Sequence, residues 1–402
     1  MQPDSQTQAL LGTIDDAQML REVQDWTAIN TGTGNLAGLR NMAGILADAF
    51  AQLPGEVRLV EPGEVTAIAA DGVEYEKPHG DHMVLSVRPE AERRFILTGH
   101  MDTVYPEDHP FQDLTWLDEE TINGPGTADM KGGLNVILHA LKAFEANGRA
   151  AEVGYDVMIN SDEETGSLAS RALIEKLARG KYAALTYEPS ALPDGTLAHA
   201  RGGTGNYSIT FRGKSAHAGR NPEDGRNAIV AASDLVLRLT EMAAEDITIN
   251  PAKIEGGGAN NVVPDLAILR FNIRPKSTDA MGRFDSDLNA LLRTIEERHQ
   301  VGVSRHGGVT RPPKPVDEKA QKLFNLVKSC GSQLGQDIGW KSTGGVCDGN
   351  NIASVGVPVV DTMGVRGGAI HSPDEYMIVP SLKERAALSA LVLANLASGD
   401  PL

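Results

Sequence analysis

Apolar residues recur with helical spacing near the start of the chain. Met19, Leu20 and Val23 lie three and four residues apart, on one face of a helix. After a turn-forming stretch at 31–34, a second group has the same spacing: Leu36, Leu39, Met42, Ile45, Leu46 and Phe50. We therefore expect two helices within residues 15–53.

Short apolar runs further along the chain predict buried strands. They lie at residues 95–97, 157–159, 183–187 and 357–360. Helical spacing occurs between them at 134–144 and 168–177, and Gly180 is a candidate C-cap for the second helix. Strands that alternate with helices predict an α/β fold, with a mainly parallel sheet flanked by helices on both faces.

Residues 201–311 have a different pattern. Tyr207, Ile209 and Phe211 alternate with polar residues, as does the stretch 268–273, and such alternation is typical of half-exposed strands. Helical spacing follows each of these strands, at 228–239 and 281–299. We interpret 201–311 as a small α+β domain inserted into a discontinuous larger domain that comprises 1–200 and 312–402.

Length and composition agree with this division. A chain of 402 residues can form two domains, and 41% apolar with 23% charged residues is typical of a globular protein with a sizeable core. The 37 Lys and Arg against 54 Asp and Glu give a formal charge of -17, which repels phosphate backbones and anionic membranes. We therefore expect no nucleic acid and no membrane as a partner.

Cysteine content and the first residues bear on localisation. Only Cys330 and Cys347 occur, too few for a disulfide framework or an all-cysteine metal site. The first residues lack a basic segment followed by an apolar run, and no stretch approaches the ~18 apolar residues of a membrane span. We expect a cytoplasmic protein.

Histidine and carboxylate residues follow the predicted strands. His100 and Asp102 come after the strand at 95–97, and the two-residue spacing lets the carboxylate reach the imidazole from behind. Asp129 lies among glycines at the start of a predicted helix. Taken alone, the histidine could cap a loop and Asp129 could be a helix N-cap.

Three consecutive acids, residues 162–164, follow the strand at 157–159. They repel one another unless a cation or a general-base role accommodates them, although a solvated helix start would also fit. Glu188 ends the next strand, and His371 lies in a loop after the last one. These residues would meet at the carboxyl ends of the strands, where open α/β sheets bind ligands. Imidazole and carboxylate ligands suit zinc, cobalt or manganese.

Seven motifs in fixed order resemble a known family. They are GHMDTVYP, GPGTADMKGG, DEETGS, YEPS, GKSAHAG, NNVVPD and AIHSPDEY. The chain is similar to the dinuclear zinc aminoacylases and carboxypeptidases, which include glutamate carboxypeptidase, acetylornithine deacetylase and succinyl-diaminopimelate desuccinylase. The similarity extends over nearly the whole chain and implies a zinc-binding α/β domain with an inserted lid and dimerisation domain.

The resemblance implies a role for each motif residue of the larger domain. The implied metal ligands are His100 and Glu188 for the first ion, Asp129 bridging both ions, and Glu164 and His371 for the second. Asp102 would orient His100, and Glu163 would be the general base. Two Zn²⁺, for which Co²⁺ or Mn²⁺ could substitute, would balance four carboxylates in the site. The family also implies a cis peptide bond between Asp129 and Met130.

The inserted domain and a late loop supply further candidates. His217 matches a histidine that reaches the active site of the neighbouring subunit, which implies a homodimer formed through the inserted domain. Asn261 and Arg274 match positions that hold the substrate's oxyanion and carboxylate, although a turn residue and a surface residue would also fit these positions. Gly345 and Cys347 lie in a substrate-facing loop where relatives usually have Ser or Thr at the second position. Arg366 is a possible second contact for an anion.

The activity implied is metal-dependent hydrolysis of an amide bond next to a free carboxylate, most like the glutamate carboxypeptidase branch. A metal-bridging water would lose its proton to Glu163, and the substrate would be a small peptide or an N-acyl amino acid. An acetylornithine-type deacylase is the alternative within enzymes. A non-catalytic binding paralogue is disfavoured, because such a protein needs no general base beside its metals.

Overall fold

The chain folds into two units, each with its own apolar core. The computed structural model describes residues 12–146 and 148–399, and the larger unit takes its described residues from Met1–Gly63, His79–Ala200 and Val316–Leu402. Glu64–Pro78 and Arg201–Pro315 form the smaller unit. The predicted boundaries placed residues 64–78 in the larger domain.

The segment that changes place is a hairpin, with β2 at Thr66–Ile68 and β3 at Glu74–Glu76. Arginine side chains from the smaller unit bind its backbone. Arg270 donates to the carbonyl of Ile68 at 2.6 Å, and Arg212 donates to the carbonyl of Gly72 at 2.7 Å. These side-chain contacts are long-range, so the pattern within 64–78 does not reveal them.

A six-stranded sheet forms the centre of the larger unit. Its strands, in spatial order, are β1 (Glu56–Val60), β4 (His82–Val87), β8 (Gly154–Asn160), β5 (Arg94–His100), β9 (Ala183–Thr186) and β16 (Val359–Val360). The last four are parallel to one another, and each overlaps one of the four predicted strands. The prediction of a mainly parallel α/β sheet is therefore confirmed.

The two remaining strands pair antiparallel at one edge of this sheet and were not predicted. In β1 no residue is fully buried, so the strand lacks an apolar run. In β4 the polar residues His82 and Ser86 interrupt the apolar residues. Burial of these strands depends on tertiary packing, which local patterns report poorly.

Helices cover the sheet of the larger unit. They are α1 (Asp16–Thr27), α2 (Leu36–Phe50), α3 (Gly132–Glu145), α4 (Arg171–Ala178), α7 (Glu318–Gln333), α8 (Asp348–Ser354) and α9 (Ser381–Ala397). Asp15 and Asn35 cap α1 and α2, because each side chain accepts a backbone N–H of the first turn. The helix predicted from residue 168 begins at Arg171, with Ser170 at its N-cap position. In the described ranges, no helix is long and apolar enough to cross a membrane.

A second, smaller sheet of the larger unit positions two loops of the candidate site. It consists of β17 (Gly367–Gly368), β18 (Tyr376–Ile378), β7 (Thr121–Asn123) and β6 (Thr115–Trp116). Tyr376 pairs with Asn123, so the chain leaving β7 runs beside the chain entering β18. This places the glycine-rich loop that carries Asp129 next to the loop that carries His371. A two-stranded ribbon, β10 (Leu197–Arg201) with β15 (Trp340–Thr343), completes the strands of this unit.

The smaller unit contains an antiparallel sheet of four strands. Their order is β12 (Ile247–Gly256), β13 (Leu266–Pro275), β11 (Thr204–Arg212) and β14 (Gly302–Arg311). Helices α5 (Ala228–Glu241) and α6 (Thr278–His299) supply the other half of its core. In that core Tyr207 stacks on Phe271 at 4.8 Å between ring centroids, and Phe284 meets both rings edge-on. The edge strands β12 and β14 were not predicted.

Candidate metal centre

Three parallel strands bring the candidate residues of the larger unit together. His100 is the last residue of β5, and β5 pairs in register with β8 and β9 on either side. Glu163 follows the end of β8 by three residues, and Glu188 follows β9 by two. Since parallel strands present their carboxyl ends at one edge, these side chains converge there.

Both ring nitrogens of His100 have carboxylate neighbours. Its Nε2 lies 3.1 Å from Asp129 Oδ1 and 3.6 Å from Glu188 Oε2. On the other side of the ring, Nδ1 lies 3.0 Å from the backbone oxygen of Asp102 and 3.4 Å from its Oδ1. Asp102 therefore fixes the orientation of the imidazole so that Nε2 points into the site.

Asp102 also fixes the acidic pair that follows β8. Its fully buried carboxylate accepts the backbone N–H of Glu163 at 3.1 Å and that of Glu164 at 3.2 Å. It accepts a third hydrogen bond, over 2.8 Å, from the hydroxyl of Thr33. One carboxylate thus holds the histidine and both glutamates in one arrangement. Thr33 was not predicted as a site residue, although it belongs to the turn-forming stretch at 31–34.

Asp129 lies between two histidines. While its Oδ1 faces His100, its Oδ2 lies 3.3 Å from Nε2 of His371, and the same nitrogen lies 3.1 Å from Glu164 Oε2. The peptide bond from Asp129 to Met130 is cis, as the resemblance implied. The two oxygens of this carboxylate therefore serve two groups of ligand atoms, which is the arrangement expected of a bridging ligand.

The observed distances suit divalent cations. Ligand atoms of His100, Asp129 and Glu164 lie within 4.8 Å of one another, and so do those of His100, Glu163 and Glu188. Two ligand atoms that each lie about 2.1 Å from a tetrahedral zinc ion are about 3.4 Å apart. The contacts of Asp129 with its two histidines have this length. The structure contains a candidate metal site.

The charges in the site also favour a cation. Burial and the charge of Asp129 raise the pKa of Glu164 well above its usual value. Burial alone would lower the pKa of His100, but nearby carboxylates, above all Glu188, raise it well above its usual value. Hydrogen bonds with Asp129 and Glu164 raise the pKa of His371 to about 11. The carboxylates outnumber the imidazoles, so the site attracts positive charge, and divalent cations would supply it in place of protons.

The candidate residues of the smaller unit occupy its surface. His217, Asn261 and Arg274 are all exposed. Hydrogen bonds join the segments that carry His217 and Asn261, because the N–H of Ala218 donates to the carbonyl of Asn261 at 2.9 Å. Arg274 lies near the far end of β13, where its Nε donates to Asn272 Oδ1 at 3.0 Å. The structure thus brings the segments of His217 and Asn261 together and places Arg274 near the other end of β13.

The late loop places its candidates differently. Gly345 is exposed, and its N–H donates to Thr343 Oγ1 at 3.2 Å. Cys347, which was predicted to contact substrate, is the N-cap residue of α8 and is only 2% exposed. Its Sγ lies 3.6 Å from Asp361 Oδ2. Its thiol is therefore part of the packing around α8. Arg366 has a partner as well, since its Nε lies 3.2 Å from Glu384 Oε2.

Comparisons with known proteins show which sequences and structures this chain is similar to. The sequence matches the profile of "Peptidase family M20/M25/M40" over residues 96–395. Carboxypeptidase G2 of Pseudomonas sp. (strain RS-16) is 29% identical over 398 residues, which cover 96% of this chain and 91% of that protein. Succinyl-diaminopimelate desuccinylase 1 of Alteromonas mediterranea is 27% identical over 308 residues, 72% of this chain and 78% of that protein. The solved structure of a tripeptidase from Staphylococcus aureus superposes with a TM-score of 0.72 at 23% identity, and the match covers 96% of this chain and 100% of that one, which shows the shared fold.

Proposed function

The chain belongs to peptidase family M20/M25/M40 and is a hydrolase, and on that basis we propose that it cleaves an amide bond next to a free carboxylate. The substrate would be a small peptide or an N-acyl amino acid. The observation that carries the proposal is the position of Asp129, whose two carboxylate oxygens face His100 and His371 separately. That arrangement, with Glu163 in the same cluster, suits a hydrolytic site with two cations.

Five residues would hold the cations. They are His100 and Glu188 for one ion, Asp129 for both, and Glu164 and His371 for the other. Nitrogen and oxygen donors suit zinc, and Co²⁺ or Mn²⁺ could substitute. When bound, such cations polarise a carbonyl oxygen and lower the pKa of a water molecule.

Glu163 would move the proton. Its backbone N–H is held by Asp102, and its carboxylate lies in one cluster with His100 and Glu188. Glu163 is only 7% exposed, so bulk water is largely kept away from the carboxylate that would hold the transferred proton. Glu163 accepts a proton from the attacking water and delivers it to the leaving amine nitrogen, which is general acid–base catalysis by one carboxylate.

Arg274 would receive the free carboxylate of the substrate. The carboxylates around Asp129 repel an anionic substrate, so a cation outside that cluster has to hold it. The exposed guanidinium of Arg274 supplies a planar pair of donors that matches a carboxylate and stays charged when partly desolvated.

The geometry of β13 supports a homodimer. Asn261 precedes Leu266, the first residue of β13, whereas Arg274 lies eight residues beyond it, about 26 Å away for an extended strand. A single chain cannot place both side chains on one small substrate. We therefore propose that His217, with the Asn261 segment hydrogen-bonded beside it, completes the site of the partner chain.

The surface of the smaller unit also suits pairing of two copies. Val230 and Leu237 lie seven residues apart on one face of α5 and are 50% and 65% exposed. Ile254 is 45% exposed on β12, which lies at the edge of its sheet. An edge strand offers backbone N–H and C=O groups to another strand, and exposed apolar side chains mark interfaces.

An N-acyl amino acid deacylase is the alternative, because the desuccinylase relative carries that type of activity in its name.

The test is a substrate panel with zinc-loaded protein: acyl- and peptidyl-glutamates, N-acetyl amino acids, and the same compounds with the free carboxylate amidated. We expect hydrolysis of compounds with the free acid, loss of activity with a chelator, and recovery on adding zinc. Equal rates for acids and amides would contradict the proposal. So would activity that a chelator leaves intact.

A further inference from the structure

Glu375 and Tyr105 connect the two loops that carry Asp129 and His371. Oε1 of Glu375 accepts the backbone N–H groups of Ala128 and Asp129, both at 3.0 Å. Its Oε2 accepts the hydroxyl of Tyr105 at 2.9 Å. The same hydroxyl lies 2.8 Å from the backbone oxygen of Ser372, the residue after His371. The single proton of this hydroxyl faces both oxygens, so the contacts run from Ala128 and Asp129 through Glu375 and Tyr105 to Ser372.

The backbone of Glu375 strengthens this connection. Its carbonyl accepts Nδ2 of Asn123 at 2.7 Å and the N–H of Gly124 at 3.3 Å, while its own N–H donates to Ser372 at 3.0 Å. Glu375 thus binds the glycine-rich loop at its start and again at Ala128 and Asp129. No nearby sequence position predicts these contacts, since the partners are almost 250 residues apart in the chain.

Burial makes these contacts important. Glu375 is 0% exposed and Tyr105 is 3% exposed, so water cannot replace a lost partner. A buried carboxylate also adds negative charge to a site that already holds several carboxylates, which is costly for stability.

We propose that Glu375 and Tyr105 are positioning residues for the metal centre, which hold the Asp129 carboxylate and the His371 imidazole at the 3.3 Å separation that one cation needs. The proposal rests on the proposed function, because it concerns residues that would bind metal. Neither side chain is a ligand. Both act through the backbone of the loops that carry the ligands.

The variants separate position from charge. Glu375→Ala removes all three side-chain contacts of Glu375, whereas Tyr105→Phe removes the hydroxyl contacts with Glu375 and Ser372 and keeps the bonds from Ala128 and Asp129. Glu375→Gln preserves the connection, because its amide oxygen can accept both N–H groups while its NH₂ donates to Tyr105. Matched controls are Asp374→Ala, at the exposed neighbour of Glu375, and Tyr376→Phe, at a second tyrosine close to the same loop.

The measurement is Co²⁺ binding to the metal-free full chain in competition with a chelator. The visible absorption of the bound ion reports the amount bound. We expect two ions for the unaltered chain, and one of them bound at least about 10-fold more weakly in Glu375→Ala and Tyr105→Phe, the usual scale for residues that orient ligands. Glu375→Gln and both controls should bind within about threefold of the unaltered chain, which is below that scale. Should Glu375→Ala fail to fold, Tyr105→Phe against Tyr376→Phe still decides.

Two results overturn the proposal while the proposed function stands. One is unchanged Co²⁺ affinity in Glu375→Ala and Tyr105→Phe. The other is a loss in Glu375→Gln as large as in Glu375→Ala, which would assign the effect to charge. If the unaltered chain binds fewer than two ions, the metal centre is wrong, and the positioning role is wrong with it.

Discussion

The hydroxyl of Thr33 donates a hydrogen bond to Asp102 Oδ2 over 2.8 Å. It joins the loop after α1 to the carboxylate that orients His100. Asp102 holds the backbone of Glu163 and Glu164 with the same two oxygens, so a shift of its carboxylate would move all three residues. The stretch 31–34 therefore contacts the site through this hydrogen bond and through backbone hydrogen bonds with Thr103, the residue after Asp102.

Replacing Thr33 by Val should weaken catalysis. The substitution keeps the size of the side chain and removes the donor, and a hydrogen bond to a charged group contributes about 1.5–3 kcal/mol, or roughly 10-fold or more in kcat/KM. Thr33→Ser keeps the hydroxyl and serves as the control. Steady-state kinetics of the zinc-loaded proteins checks this, and a Val variant as active as the Ser variant would contradict it.

Glu163→Gln should lower kcat by about 10²–10⁴ while both metal ions remain bound, because the amide cannot accept the proton of the attacking water. The neighbouring Glu164→Gln is the matched control. Its side chain lies 3.1 Å from His371 and would be a ligand, so this variant should lose metal. Kinetics together with elemental analysis distinguishes the two effects. Metal loss in Glu163→Gln would make Glu163 a ligand instead.

Strand ends explain which parts of the site could be predicted. His100 and Glu188 directly follow apolar runs, and the parallel sheet brings such positions to one edge whatever the details of packing. Asp129 and His371 meet through the small sheet of β7 and β18, and strands of three residues leave no pattern in the sequence. The order of strands and motifs predicted that these residues meet at the carboxyl ends of the strands, whereas the sharing of one ion by Asp129 and His371 was implied by the resemblance alone.

Other features depend on contacts that local patterns do not contain. Helix α9 is buried on nearly all sides, so it lacks the apolar stripe by which a helix is recognised. Most residues of β12 are exposed, which hides the strand at the edge of the sheet. The contact between the Cys347 thiol and Asp361 was not predicted for a similar reason. The two residues are 14 positions apart in the chain, and only the fold brings them together.

Mixed dimers should show whether His217 acts on the partner's site. The chains His217→Ala and Glu163→Gln should each be nearly inactive alone. In a heterodimer one of the two sites would combine an intact Glu163 with an intact His217, so exchange of subunits should restore part of the activity. Activity is measured after mixing, with exchange verified by mass spectrometry of differently tagged chains. No recovery despite complete exchange would contradict the assignment to the partner's site.

Replacing Arg274 should affect only substrates with a free carboxylate. Loss of one partner of a buried charge pair typically costs about 2–5 kcal/mol, so Arg274→Ala should lower kcat/KM for an acyl-glutamate by roughly 10² or more. Arg274→Lys keeps the charge but loses the planar pair of donors, and it should recover only part of that loss.

The amidated substrate gives the internal control for Arg274. Its neutral amide has no charge for the guanidinium to bind, so kcat/KM for this compound should change little in Arg274→Ala. A structural disturbance of β13 would instead lower the rates for both substrates together, because it would displace the strand whatever the substrate. The ratio of the two kcat/KM values therefore isolates recognition of the carboxylate from damage to the fold. If Arg274→Ala lowers kcat/KM equally for the acid and the amide, the substrate carboxylate binds elsewhere. Arg366→Ala is then the variant to compare next, and a substrate carboxylate there would have to displace Glu384 from its ion pair with Arg366.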